Sequence, residues 1–115
     1  MTDALTSIED LKQRVAQFVR ERDWEQFHSP KNIAISIAIE AAELMEVYQW
    51  GPEGESVKFS QSPEVRAKVD EELADVLIYC VSLANRVGID ISQIVQRKLA
   101  RNATKYPVDQ FRGRY

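Results

Sequence analysis

Apolar residues recur along most of the chain at intervals of three and four, and that period predicts α-helices. The first run sets Ile8, Leu11, Val15, Phe18 and Val19 on one face. The preceding Thr6-Ser7-Ile8-Glu9 has the form of a capping box, so a helix is expected from there to about Arg22. Asp23-Trp24-Glu25-Gln26-Phe27-His28 breaks the pattern with two aromatics and the only histidine. Ser29 and Pro30 restart it, as N-cap and first helical residue. Isoleucine at every second position from Ile33 to Ile39 is also a strand signal. The run continues, however, without a turn through Glu40-Ala41-Ala42-Glu43-Leu44-Met45-Glu46 to about Tyr48, and its length decides for helix. Apolar residues cover nearly the whole circumference of this helix, more than a small single domain can bury. A bundle completed by a second subunit is therefore expected.

Gly51-Pro52-Glu53-Gly54-Glu55-Ser56 reads as a loop extending to about Gln61. Ser62-Pro63 repeats the earlier cap and opens the longest helix, to about Val87, with Val65, Val69, Leu73, Val76, Leu77, Cys80, Val81 and Ala84 on its apolar face. Gly88 is the stop signal. Asp90 and Gln93 have the spacing of another capping box, for a helix ending near Lys105, and Pro107 prevents its continuation. Residues 109–115 read as a tail, flexible or bound by a partner. The expected fold class is all-α, four main helices in one domain over residues 1–115 with its core at about 8–108.

Composition narrows the setting. A chain of 115 residues suffices for one domain with a core, and 44 % apolar and 29 % charged residues are ordinary for a soluble protein. No run approaches the roughly 20 apolar residues of a membrane span, and the amino terminus lacks a basic-then-apolar leader. A cytoplasmic protein without membrane contact is the expectation. Cys80, the only cysteine, lies in an apolar stretch and is expected in the core, with no internal disulfide. The net charge of −3 argues against a nucleic-acid polymer as partner. Residues 1–85 carry 8 basic against 16 acidic side chains, whereas residues 86–115 carry 7 against 2. An acidic body with a basic end suits a small ligand that is both metal-bound and polyanionic.

The acids themselves carry the chemistry. Glu40 and Glu43, and later Glu72 and Asp75, stand three residues apart inside apolar runs, which on a helix puts each pair on one face. Carboxylates taken out of water and crowded together are costly, and a bound divalent cation removes both costs. Helices joined by one loop run antiparallel, so the two pairs can meet. An all-oxygen set favours Mg²⁺ or Mn²⁺ over zinc, and the absence of any Glu-x-x-His step disfavours a di-iron centre. Mg²⁺ leaves part of its shell to substrate phosphates, for which Lys98, Asn102 and Tyr106 recur at every fourth residue on one face of the last helix. Trp24, Phe27, His28 and Trp50 lie in loops or at helix ends, where aromatic residues more often plug the core but can also stack on a nucleobase.

Glu40-Ala41-Ala42-Glu43 followed after 28 residues by Glu72-Leu73-Ala74-Asp75 resembles the Glu-x-x-Glu and Glu-x-x-Asp signature of the MazG-like, all-α nucleoside triphosphate pyrophosphohydrolases. Arg22-Asp23-Trp24-Glu25-Gln26-Phe27-His28, Tyr48-Gln49-Trp50, Asp75-Val76-Leu77-Ile78-Tyr79 and Lys105-Tyr106-Pro107-Val108 are similar to the dCTP pyrophosphatase branch in particular. The resemblance implies hydrolysis of a (d)NTP, with dCTP or a modified dCTP in front, to the monophosphate and pyrophosphate, in a homo-oligomer, dimer or tetramer. It implies Glu40, Glu43, Glu72 and Asp75 as Mg²⁺ ligands and catalytic residues, with Glu43 able to position or deprotonate the attacking water. It further implies Trp24, His28, Trp50 and Tyr79 around base and sugar, and Lys98, Asn102 and Tyr106 on phosphate or sugar, from a neighbouring subunit if need be. Members of the branch can carry a histidine in the first helix facing the nucleotide, and Val15 stands there in this chain. The competing function is a non-catalytic module that binds nucleotides or pairs with another protein through its apolar helix.

Overall fold

Three of the four long helices begin at a side-chain cap, those of Ser7, Ser29 and Asp90. In the computed structural model, which describes residues 1–114, α1 spans Ile8–Glu21, α2 Pro30–Tyr48, α3 Ser56–Ser60, α4 Pro63–Val87, α5 Ile91–Lys105 and α6 Val108–Phe111. No strand occurs among the described residues. The four long helices lie where the periodicity puts them, and two short ones, α3 and α6, raise the count from four to six.

The capping box of α1 is one residue later than the sequence pattern suggested. Ser7 caps the Asp10 N–H, and the Asp10 carboxylate accepts in return from the Ser7 N–H at 2.9 Å, leaving Thr6 and Glu9 outside it. At the far end Asp23 takes the left-handed conformation (φ 52°), while the Asp23 and Trp24 N–H groups donate to the carbonyls of Arg20 and Val19. This Schellman turn folds the chain back sharply, and a short aspartate tolerates it better than most side chains. Ser29 caps α2 through the Asn32 N–H with Pro30 at the first helical position, as expected. Ser62 precedes α4 without a capping bond. Gly88 ends α4 at φ 73°, and Asp90 caps α5 through the Gln93 N–H.

α3 arises inside the segment expected to be loop. The Tyr48 hydroxyl bonds the Ser60 hydroxyl, and the Tyr48 and Phe59 rings meet at 6.0 Å, so aromatic packing pulls the segment back onto the end of α2. Gly51 permits this, because a side chain there would begin 3.0 Å from the Phe59 ring. α6 follows Pro107, with Tyr106 and Phe111 packed edge to face at 5.1 Å. The tail expectation thus meets a helical turn at 108–111, and its last residue, Tyr115, lies outside the described residues.

α2 and α4 form the central antiparallel pair, and α1 and α3 pack on α4, whereas α5 packs closely against none of them. Very little is sealed. Val19, Ile33, Ala84 and Ser82 alone are buried among the described residues, and Ile33 is 1 % exposed. Ile35, Ile39 and Met45 leave a side of α2 open, and Ile94, Val95 and Leu99 do the same for α5. Cys80, expected in the core, is exposed, because it points away from the α2–α4 seam. The radius of gyration is 17.1 Å, against about 13 Å for a compact chain of this length.

Because Ile33 is the best-packed side chain of a thin core, Ile33→Ala should lower unfolding free energy by roughly 2–5 kcal/mol. The exposed Lys31→Ala, one turn-end away, should stay within about 0.5 kcal/mol. Urea denaturation followed by circular dichroism measures both.

Candidate metal centre

The antiparallel packing of α2 on α4 brings the acidic steps together at mid-helix. One carboxylate oxygen from each of Glu40, Glu43 and Glu72 lies within 4.8 Å of the others. Asp75, one turn along α4 from Glu72, stands outside that trio but close enough to repel Glu40. Glu46 belongs to neither group. The seam therefore gathers three of the four expected acids tightly and keeps the fourth beside them.

These acids have no cation of their own. The ion pairs among the described residues are Arg22–Glu21 and Arg66–Asp70, both on the surface and away from the trio. Oε2 of Glu40 and Oε2 of Glu72 are shut from solvent without any hydrogen-bond partner. Burial pushes the Glu40 carboxyl up to about 7, and the closeness of Glu43 and repulsion from Asp75 and Glu72 add to it. Glu72 is raised for the same reasons, burial first, with Glu43, Asp75 and Glu71 contributing. Orphaned buried oxygens in an all-carboxylate set fit a hard divalent cation, which would satisfy both and leave room for phosphate oxygens.

Beside the acids stands an aromatic group. His28 ends the 3₁₀ turn Glu25–Phe27, with its ring 6.5 Å from Trp24 and 6.3 Å from Tyr79. Tyr79 is one turn beyond Asp75 on α4, so the group adjoins the carboxylates. Trp50 is not part of it. It lies 89 % exposed past the C-terminal end of α2, whereas Trp24 and His28 precede the N-terminal end, and the 19-residue helix between them is about 28 Å long. Lys98 and Asn102 do share one side of α5, while Tyr106 is its non-helical C-cap, and α5 packs closely against neither acid-bearing helix. One chain thus assembles acids and three aromatics and leaves Trp50 and the α5 group apart. Sequence reasoning passed over Ser82 and Asn85, two and nearly three turns beyond Asp75 on α4. Their signal was a polar pair, Ser82 and Asn85, inside the apolar run Val81-Ser82-Leu83-Ala84-Asn85.

The sequence model of the MazG-like family matches residues 35–114, which include all four acids. dCTP pyrophosphatase 1 of Bos taurus is 44 % identical over 107 residues, covering 93 % of this chain and 63 % of the relative. The Homo sapiens protein of that name is 44 % identical over 101 residues, covering 88 % of this chain and 59 % of its own. The chain therefore spans about three fifths of the length of these curated relatives. A crystal structure of a pyrophosphatase from Archaeoglobus fulgidus aligns with a TM-score of 0.81 at 36 % identity, over 93 % of this chain and 98 % of that one.

The raised carboxyls fix a pH dependence. Protonated Glu40 and Glu72 favour the fold below their unfolded values near 4.5, and that contribution is lost as pH rises through about 7 for Glu40. The melting temperature of metal-free protein should therefore fall over this window, and added Mg²⁺ should restore it most at pH 8. Glu40→Gln should raise the metal-free melting temperature at pH 8 and shrink the Mg²⁺ response. Scanning calorimetry at pH 5 and pH 8, with and without metal, checks each sign.

Proposed function

The chain belongs to the MazG-like family, and we propose that it is a Mg²⁺-dependent nucleoside triphosphate pyrophosphohydrolase acting on dCTP or a modified dCTP. The observation that carries this reading is the crowded trio Glu40, Glu43 and Glu72, two of whose oxygens are orphaned, with Asp75 beside it, a carboxylate set in want of a cation. The dCTP preference rests on the likeness to the curated dCTP pyrophosphatases.

Glu40, Glu43, Glu72 and Asp75 would hold the metal. A divalent cation bound there supplies neutralisation of the triphosphate and acidifies a water. In the reaction, water oxygen bonds the α-phosphorus, the bond from that phosphorus to the bridging oxygen breaks, and pyrophosphate departs as the monophosphate forms. Glu43, the exposed member of the trio, is the carboxylate open to take the water's proton. Trp24, His28 and Tyr79 flank the base and sugar, stacking on rings while excluding water from the reacting end.

The site is completed by assembly. The uncovered apolar sides of α2 and α5 and the extended shape support a homo-oligomer, dimer or tetramer, in which α5 carries Lys98, Asn102 and Tyr106 to the acids of another copy. Lys98 would hold phosphate charge, with Asn102 and Tyr106 on phosphate or sugar, and Trp50 would join a base pocket across the interface. A location in the cytoplasm, serving nucleotide-pool sanitation, belongs to the same reading.

Incubation with a panel of nucleoside triphosphates, with pyrophosphate detected, should give release that requires Mg²⁺ and is fastest for cytosine deoxynucleotides. No metal-dependent release across the panel would reject the enzyme in favour of a binding module. Glu43→Gln and Asp75→Asn should each lower kcat by 100-fold or more, roughly the cost of removing a group that acts only in the transition state, with helical content intact. Sedimentation should give a mass that is a multiple of 13.2 kDa, and a stable monomer would refute the shared site.

A further inference from the structure

A cleft of about 220 Å³ opens between α1, the 24–28 turn and α4, beyond the aromatic group as seen from the acids. Val15, Val19 and Ile33 give it apolar walls, and His28 stands on its edge next to Tyr79. Three polar side chains of α4, Ser82, Asn85 and Arg86, also line it, as do Arg20 of α1 and Glu25 of the turn. Ser82 is 6 % exposed, and its hydroxyl has no hydrogen-bond partner, although a buried hydroxyl ordinarily finds one. Asn85 donates Nδ2 to the Lys12 carbonyl at 3.0 Å, which orients the amide and leaves Oδ1 as a free acceptor. A slot with apolar walls, an orphaned hydroxyl, an oriented acceptor and charged neighbours suits a flat, polar-edged ligand.

Its place relative to the acids decides which ligand. Glu72, Asp75, Tyr79 and Ser82 follow one another at intervals of three, four and three, so they share a face of α4. Ser82 lies about 10 Å along the axis from Asp75, the reach of a nucleoside from its α-phosphate. On α2 the same spacing separates Ile33, in the cleft, from Glu40, among the acids. The two helices run the acids and the cleft in parallel register.

We infer that Ser82 and Asn85 read the base edge and select a 4-aminopyrimidine over a 4-oxopyrimidine. The inference deepens the pyrophosphohydrolase reading and rests on it. Cytosine presents an amine donor beside an unprotonated ring nitrogen. Asn85 Oδ1 accepts from the amine, and the Ser82 hydroxyl donates to the ring nitrogen. Uracil or thymine would set a carbonyl oxygen against Asn85 Oδ1, while the Ser82 hydroxyl, which both donates and accepts, would turn to accept from the ring N–H. The lone-pair clash at Asn85, whose Oδ1 is left without a donor, then discriminates, as a site built to bond one analogue rejects the other.

The test compares dCTP with dUTP on the full chain with Mg²⁺, and binding of dCMP and dUMP by calorimetry without turnover. Wild type should favour the cytosine member in both assays. Ser82→Ala, which a helix accepts readily, should raise KM for dCTP by about tenfold with kcat little changed, the effect of one lost hydrogen bond. Asn85→Leu, checked for native circular dichroism, should cut the dCTP-to-dUTP ratio of kcat/KM by about tenfold or more, through slower dCTP and faster dUTP. Pyrophosphate release from dCTP with an unaltered ratio in both variants overturns the base-reading assignment alone. Neither binding nor release with any nucleotide in wild type overturns it together with the activity. Equal use of dCTP and dUTP by wild type also overturns it, leaving the activity standing.

Discussion

Mutual repulsion among crowded carboxylates, two of them half-buried, is the constraint to which the rest of this chain answers. Glu40, Glu43 and Glu72 are forced within 4.8 Å, with Asp75 adjacent and no basic side chain between them. Such a cluster opposes folding unless protonated or coordinated, so packing on either side must hold the helices at this distance. Ile33 supplies that packing at one end, and the Tyr48–Phe59 contact fastens the connection at the other. The acids sit between two apolar clamps. A centre held open in this way is preorganised for a cation, because the protein and not the ion has already brought the ligands together.

The clamps are small because the protomer is thin. A chain this long ordinarily encloses a larger core than three apolar side chains and a serine. The missing burial is spread over α2 and α5, whose open apolar sides lie on helices that also carry site residues. In the proposed assembly, a surface that covers Ile39 or Leu99 would also decide what reaches the acids. The basic character of residues 86–115 falls on α5 and the segments beside it, which pack only lightly against the acid-bearing helices.

Much of this was legible in the residues. Helical period, the Ser29-Pro30 start and the Gly88 stop determine their elements locally, and the acid pairs declare themselves by being charged where packing was expected. What was hidden depended on partners distant in sequence. α3 forms because Phe59 finds Tyr48, and Cys80 is exposed because the seam selects another face of α4; neither follows from its own neighbours. Thr6 and Ser7 are equally good caps by composition, and only the backbone path chooses Ser7. Ser82 and Asn85 were overlooked since a lone polar residue in an apolar run is common, and its meaning depends on the cleft opposite.

The shared stripe on α4 also bears on how the protein can change over generations. Chemistry and base reading are separated by two turns of one uninterrupted helix, so a single inserted or deleted residue between Asp75 and Ser82 would swing one against the other by about 100°. Substitutions at Ser82 or Asn85 leave that phase intact. A change of length between Gly51 and Gln61, outside the two helices that carry the acids, would leave that phase intact as well.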